Sequence, residues 1–245
     1  MHPSDPAKPD DRLPFADRAA AGSVLADRVR ASGDLDGAPP AVVLAIPRGG
    51  VPVAAVLADA LDAPLDVLVA HKIGAPGEPE LAVGAVASDG TAVMEPWARE
   101  VGLADDAAFG AAARVELARV QQREENLRAG QPRIPLAGRT AILVDDGMAT
   151  GATMHVACLA ARRLGAARVV VAVPIASSEA VGTIRTVADS VIAAATAGWF
   201  RAVGEWYRRF DQLDEDEVEE ILASARRRQA GRRDADSEAR RSTVE

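Results

Sequence analysis

The run Ala141-Ile142-Leu143-Val144-Asp145-Asp146-Gly147-Met148-Ala149-Thr150-Gly151-Ala152-Thr153 narrows the folds open to this chain more than any other stretch. Its first four residues are apolar and read as a buried strand; the apolar-periodic run from Met154 to Leu164 reads as a helix. Between them stand two adjacent carboxylates and a loop of small and hydroxylated residues. Small residues let backbone N–H groups come close to a phosphate, and a helix N-terminus adds the positive end of its dipole. The Thr150 and Thr153 hydroxyls offer two more hydrogen bonds, and the carboxylates are acceptors suited to a vicinal diol. A phosphate cradle beside a diol clamp describes a site for a ribose 5-phosphate.

The rest of the chain alternates in the same way. Arg12 to Arg30 has helical spacing, Ala41 to Ile46 is a short β-rich run, Val51 to Leu61 is helical, and Leu65 to Ala70 is strand-like. Leu81 to Ala87 and Thr91 to Met94, separated by Ser88-Asp89-Gly90, read as a hairpin. Ala104 to Arg128 reads as a long polar helix, with the Glu116–Arg119 and Val120–Glu124 spacings on its exposed side. Strands follow at Thr140 to Val144, Arg168 to Val173 and Ser190 to Ala194, with helices near 153–164 and 177–187. This alternation implies an α/β fold: a mostly parallel twisted sheet flanked by helices, with ligands beyond the strands' C-terminal ends. Residues 1–11 and 228–245 read as disordered tails around a single domain, 12–227, that ends in a small C-terminal segment.

With 245 residues, 49% hydrophobic and 26% charged, the chain can bury one substantial core. A net charge of −8 argues against general nucleic-acid binding. The single cysteine, Cys158, excludes an intramolecular disulfide and suits a packed thiol inside the helix after the cradle. No apolar run has the length of a membrane span, and the start is polar and proline-rich rather than a signal peptide, so a cytoplasmic protein without membrane partners is expected. All but two of the 28 basic residues are arginine; Lys72 is the one lysine inside the predicted domain.

The strand, acid pair, cradle and helix from Ala141 to Thr153 resemble the binding motif of the type I phosphoribosyltransferases, which bind 5-phosphoribosyl-1-diphosphate (PRPP). The paired acids exclude a P-loop, and no GxGxxG precedes the helix. The resemblance implies that backbone groups of Gly147, Met148, Ala149, Thr150, Gly151, Ala152 and Thr153 hold the 5-phosphate. It implies that Asp145 and Asp146 hold the ribose hydroxyls and help place a magnesium ion through water or PRPP. It further implies that Arg48, Gly49, Gly50 and Lys72 form the pyrophosphate site, Arg48 and Lys72 stabilising the departing group. Family members often carry a cis non-proline peptide in that loop, for which Arg48–Gly49 is the bond considered. His71 stands where relatives carry arginine, and is either a ligand contact or a supporting residue.

Ile73 to Glu80 has the composition of a mobile loop, with Gly74, Pro76, Glu78 and Glu80 as its marked positions. It is expected either to close over the reacting centre or to remain a flexible surface loop. The motif order, from Phe15-Ala16-Asp17-Arg18 through Pro47-Arg48-Gly49-Gly50 and Lys72-Ile73-Gly74-Ala75-Pro76 to Ala202-Val203-Gly204, is similar to bacterial stand-alone phosphoribosyltransferase-domain proteins of unassigned acceptor. One departure falls at Arg209, where the resemblance leads us to expect an acid. Ala149 replaces the aspartate that enzymes of 6-oxopurines carry, which disfavours guanine, hypoxanthine and xanthine.

Five of the eight aromatic residues lie between Trp199 and Phe210, within a candidate hood at 196–212. They serve either to stack on a base or to staple the C-terminal segment to the sheet. The function expected is magnesium-dependent transfer of 5-phosphoribose from PRPP to a small-molecule nitrogen acceptor, with a homodimer as a family-level expectation. The alternative is a PRPP-sensing regulator without catalysis. The acidic balance and the lack of an evident helix-turn-helix weigh against that alternative.

Overall fold

The computed structural model describes residues 13–75, 77–102 and 105–242, of which 79–80 and 232–242 are described by backbone alone. Five strands, β1 (Ala41–Ala45), β2 (Leu65–Val67), β6 (Thr140–Val144), β7 (Arg168–Ser177) and β8 (Ser190–Ala197), form one all-parallel sheet in the order β2-β1-β6-β7-β8. Their near-continuous apolar sequences follow from burial on both faces. Alternate residues serve opposite faces: Val43, Ala45, Ile142 and Val144 pack in one core with α1 (Arg18–Ser32) and α2 (Gly50–Leu61). Val42, Leu44, Ala141 and Leu143 pack in the other with α5 (Ala152–Arg163). The helix α6 (Ser178–Ile184) joins β7 to β8. Parallel strands place β6, β7 and their following loops at one edge, where the acid pair emerges.

A second sheet, antiparallel in the order β3-β4-β5, is built from β3 (Ala70–Ala75), β4 (Glu78–Ala87) and β5 (Ala92–Met94). The β4–β5 hairpin falls where its sequence places it, turning at Gly90 with φ 90°. The single strand expected over Leu65 to Ala70 is corrected. Leu68 N–H still donates to Ala45 O at 3.0 Å, but Val69 O accepts from Ser88 N–H at 2.9 Å, so the chain changes sheets between them. Both halves are buried, and hydrophobic periodicity therefore cannot see the break.

Three other expectations need correction. The first helix begins at Arg18 rather than Arg12, because Asp17 caps it by accepting from Ala20 N–H at 2.9 Å. On α4 (Asp106–Arg128), which follows the short helix α3 (Pro96–Glu100), Val120 and Glu124 are buried rather than exposed. The last helix, α7 (Glu215–Ser242), runs well beyond residue 227, where a tail was expected. Arginine, alanine, glutamate and glutamine favour helix strongly, and Arg228 is anchored to Asp59 at 2.9 Å. The expected tail at 1–11 lies outside the described residues.

Glu124 is the hub of a buried polar network. It accepts from Val69 N–H at 2.9 Å and from the Ser88 hydroxyl, and it pairs with Arg128 at 2.5 Å and with Arg133. Arg128 also bonds Asp66 at 2.9 Å and Val67 O at 2.7 Å. These bonds fix the backbone where the chain crosses from β2 to β3, and so fix the strand that carries Lys72.

Candidate active site

The end of β6 delivers Asp145 and Asp146 side by side at the sheet's edge, followed by the loop into α5. Asp145, Lys72, Val203 and residues 147–154 line a cleft of about 190 Å³. Gly147 admits no side chain: a Cβ there would lie 2.5 Å from Val203 Cγ1. Gly151 takes φ 81° at the N-cap of α5. The helix ladder opens with His155 N–H donating to Gly151 O at 2.7 Å, so the amides of Ala152, Thr153 and Met154 precede it. Ala152 N–H donates to Thr150 Oγ1 at 3.4 Å, a long bond, and Ala152, Thr153 and Met154 all line the cleft at the positive end of the helix.

One member of the expected cradle is corrected. Met148 N–H donates to Ile175 O at 2.9 Å, and Met148 O accepts from Ser177 N–H at 2.9 Å, so its amide is engaged with β7. Ser177 Oγ donates to Ala149 O at 2.6 Å as well. Met148 therefore pins the loop to the sheet, and its neighbours Gly147 and Ala149 line the cleft beside it.

The two acids differ in their surroundings. Asp146 accepts from Arg18 Nε at 2.8 Å, and its backbone carbonyl accepts from the Tyr207 hydroxyl at 2.5 Å. Arg18 is itself held by Asp211 O at 2.8 Å and by the Phe210 ring, 3.9 Å from its guanidinium carbon. Asp145 stands in the cleft wall, with Oδ1 accepting from Asp146 N–H at 2.8 Å. Burial, and next the charge of Asp146, push the Asp145 carboxyl well above the usual carboxylate range. Burial also raises Asp146, with Arg18 opposing it. Burial pushes the Tyr207 phenol up, which keeps it a donor.

The Pro47-Arg48-Gly49-Gly50 loop lies directly on the acid pair. A Cβ at Gly49 would stand 2.0 Å from Asp146 Oδ2, and one at Gly50 would stand 2.5 Å from Val144 O. The cis peptide of this loop is Pro47–Arg48, one bond earlier than the one considered from sequence. Arg48 is half-buried and is not among the residues lining the cleft, whereas Lys72 is.

Lys72 reaches the cleft by a route the sequence does not suggest. It does not end a parallel strand; it lies inside β3, opposite Ala85 of β4. His71 is exposed and its Nδ1 lies 3.2 Å from Glu116 Oε2, so it pairs with α4. The irregular loop expected from Ile73 to Glu80 is corrected to a β3–β4 hairpin, with Gly74 and Glu78 in its strands and Ala75 opposite Glu78. Pro76 and the side chain of Glu80 lie outside what is described.

Arg18 and Tyr207 escape the sequence reading of the site. Phe15-Ala16-Asp17-Arg18 and the sole tyrosine were the available signals, but neither spacing points to Asp146. In the fold, Phe15 N–H donates to Trp206 O at 2.9 Å, and Arg208 and Arg209 N–H return to Phe15 O and Ala16 O at 2.8 and 3.1 Å. Arg209 pairs with Asp17, which accounts for a base where an acid was expected. Tyr207 and Phe210 thus staple the C-terminal segment against Phe15, Ala21, Val24 and Ile175. Trp199 is 75% exposed, and Phe200 stacks on Trp206 at 6.1 Å.

A parallel sheet ending in paired acids, a glycine-bounded loop and a helix N-terminus is the architecture of a phosphoribosyltransferase. The phosphoribosyl transferase domain matches residues 19–205, and the chain belongs to this family. Two relatives from Mycobacterium tuberculosis, of strains CDC 1551 / Oshkosh and ATCC 25618 / H37Rv, carry names that place them among phosphoribosyl transferases. Each is 47% identical over 213 residues, covering 87% of this chain and 47% of its own length. The chain therefore spans about half the length of the curated relatives it matches. The crystal structure of TT1426 from Thermus thermophilus is 40% identical, covers 85% of this chain and 97% of its own, and superposes with a TM-score of 0.71.

Proposed function

We propose that this protein transfers 5-phosphoribose from PRPP to a small-molecule nitrogen acceptor and releases pyrophosphate. The observation that carries the reading is the 190 Å³ cleft in which Lys72, Asp145 and the N-terminus of α5 converge. Backbone amides at the helix start would hold the 5-phosphate, with Thr150 and Thr153 supporting them. Asp145 would accept from a ribose hydroxyl. Asp146, neutralised by Arg18, would hold its neighbour and the Gly49 loop in place.

As the C1–O bond breaks, its electron pair leaves with pyrophosphate, and Lys72 supplies positive charge where negative charge grows. The acceptor nitrogen forms the new bond to C1, and its proton passes to water or to the departing pyrophosphate. Arg48 would enter by movement of its own side chain from the loop beside the acids. No enzyme nucleophile takes part; positioning and electrostatics supply the rate.

The residues present fit magnesium. Two adjacent acids, the cleft acid held above its usual protonation range by burial and by its neighbour's charge, form a hard-oxygen donor set that a divalent cation would relieve. Among the described residues, no group of three His, Cys, Asp or Glu is arranged for a metal, so Asp145 and Asp146 would share the ion with ligand oxygens and water. Bound magnesium would offset the charge of the pyrophosphate. Ala149, exposed where a base-handling aspartate is absent, favours an acceptor outside the 6-oxopurines. A cytoplasmic setting is part of this reading; among the described residues, no helix is long and apolar enough to cross a membrane.

Isothermal titration with PRPP, with and without magnesium, tests the proposal, followed by a pyrophosphate-release screen of nitrogen acceptors. Magnesium-dependent binding lost in Asp145→Asn/Asp146→Asn is the expected result. Equal affinity in that folded double variant would sink the assignment of the acids.

A further inference from the structure

Away from the cleft, beside the start of β2, a cavity of about 510 Å³ opens between the end of α4, the connection 129–134 and α7. Its walls carry three arginines, Arg128, Arg226 and Arg227, against one carboxylate, Asp66. That carboxylate is turned inward. Asp66 Oδ1 accepts from Val67 N–H at 2.8 Å and Arg128 Nε at 2.9 Å, and Oδ2 accepts from Ile134 N–H at 2.9 Å. Arg128 is likewise committed to Asp66, Glu124 and Val67 O.

The α7 arginines are placed differently. Arg226 Nη2 donates to the neutral Leu127 carbonyl at 2.9 Å, and Arg227 is exposed. Burial holds the Arg226 guanidinium below its usual pKa, with Asp66 opposing the shift and Arg128 adding to it. An arginine in this position gains from an anion, because the chain's own acid in the cavity spends its hydrogen bonds on Val67, Arg128 and Ile134 rather than on Arg226. In a chain of net charge −8, an excess of positive charge around a cavity runs against the overall balance.

The remaining wall combines Gln131 and Gln229 with an apolar part from Leu65, Pro132, Ile134 and Ala230. The arginine-bearing wall is held against α2 and the turn that follows it: Arg228 pairs with Asp59 at 2.9 Å, and Gln229 Nε2 donates to Ala63 O at 3.2 Å. A volume of this size lies in the range of small-ligand sites, and planar guanidinium groups suit both oxyanions and flat rings.

We propose that this cavity binds a small organic anion, a carboxylate or phosphate carried on a flat apolar body. Arg226 and Arg227 hold the charge; Leu65, Pro132 and Ile134 hold the body. The site stands independently of the transferase reading. Arg128 in its wall is also one link, through Glu124 and Val69, from the strand that carries Lys72.

The test is isothermal titration of the full chain with 1-naphthoate and 1-naphthyl phosphate, with inorganic phosphate as the anion lacking a body. Saturable binding of at least one naphthyl anion is expected, with inorganic phosphate at least about tenfold weaker. Arg226→Gln/Arg227→Gln should weaken the naphthyl anion about tenfold or more, the loss of one charge-assisted contact being worth about that factor. Arg99→Gln/Arg119→Gln, the same charge change at exposed ion pairs, should leave it unaltered. Arg227→Gln alone, at an exposed residue, guards against loss of folding and should weaken binding severalfold. Absence of saturable binding, binding that persists unchanged without the α7 arginines, or equal loss in both double variants overturns the proposal.

Discussion

The protein buries two sets of carboxylates, and treats them in opposite ways. Asp66 and Glu124 are enclosed and answered: Arg128 and Arg133, three backbone amides and the Ser88 hydroxyl converge on them. Asp145 and Asp146 lose water as well, but among the described residues one arginine, Arg18, bonds to the pair, and it reaches Asp146 alone. Charges that the chain itself neutralises hold the fold. Acids left partly unanswered in the wall of a cleft mark a candidate functional site rather than a support of the fold.

Substitution should separate the two sets. Arg128→Ala leaves Asp66 and Glu124 buried without their main counter-ion, and is expected to cost about 3–5 kcal/mol of stability, read by urea denaturation. Asp145→Asn is the converse case. PRPP affinity should fall about a hundredfold, the scale of a lost transition-state or ligand-charge contact, while the melting temperature holds or rises. If Asp145→Asn instead destabilises the protein as Arg128→Ala does, the contrast between the two sets fails.

Smaller changes sharpen it. Gly49→Ala would drive a methyl group into Asp146, at about 1–3 kcal/mol of overpacking, and should weaken PRPP binding more than it lowers the melting temperature. Arg18→Gln removes the cation bonded to Asp146, and about 1.5–3 kcal/mol from its charge-assisted bond is expected; Arg18→Lys should recover part of the affinity. The smallest effect belongs to Asp17. The Ala20 amide, and after it Arg209, hold its carboxyl below the ordinary value. A depressed folded-state pKa stabilises the protein above the unfolded value near 3.8 and loses that effect as pH falls through the folded value. The gap in melting temperature between wild type and Asp17→Ala should therefore narrow from pH 5 towards pH 2.

The acid pair and cradle could be read from sequence because they are contiguous, and a strand, a small-residue loop and a helix each leave a local signature. Most of the parallel sheet was legible for the same reason. What escaped depends on partners far apart in the chain. Glu124 looks like one more acid on a polar helix until Val69 and Ser88 are brought to it. Arg18 lies 128 residues from Asp146, and Tyr207 lies 61 residues beyond it. The passage from β2 to β3 is hidden because burial continues while the hydrogen-bond partners change. Arg209 looked anomalous in isolation, and its pairing with Asp17 makes it ordinary.

The strap at residues 206–211 also sets an order of assembly. A ribosome delivers Arg18 first, the acids next and Tyr207 last, so the nascent chain holds its acid pair before the hydroxyl that grips the Asp146 carbonyl exists. Until that last segment threads back beside Phe15, the newly made sheet is a fold with an unfinished mouth. Completion of the binding site is thereby a late event of synthesis, reserved for chains that have been translated past it.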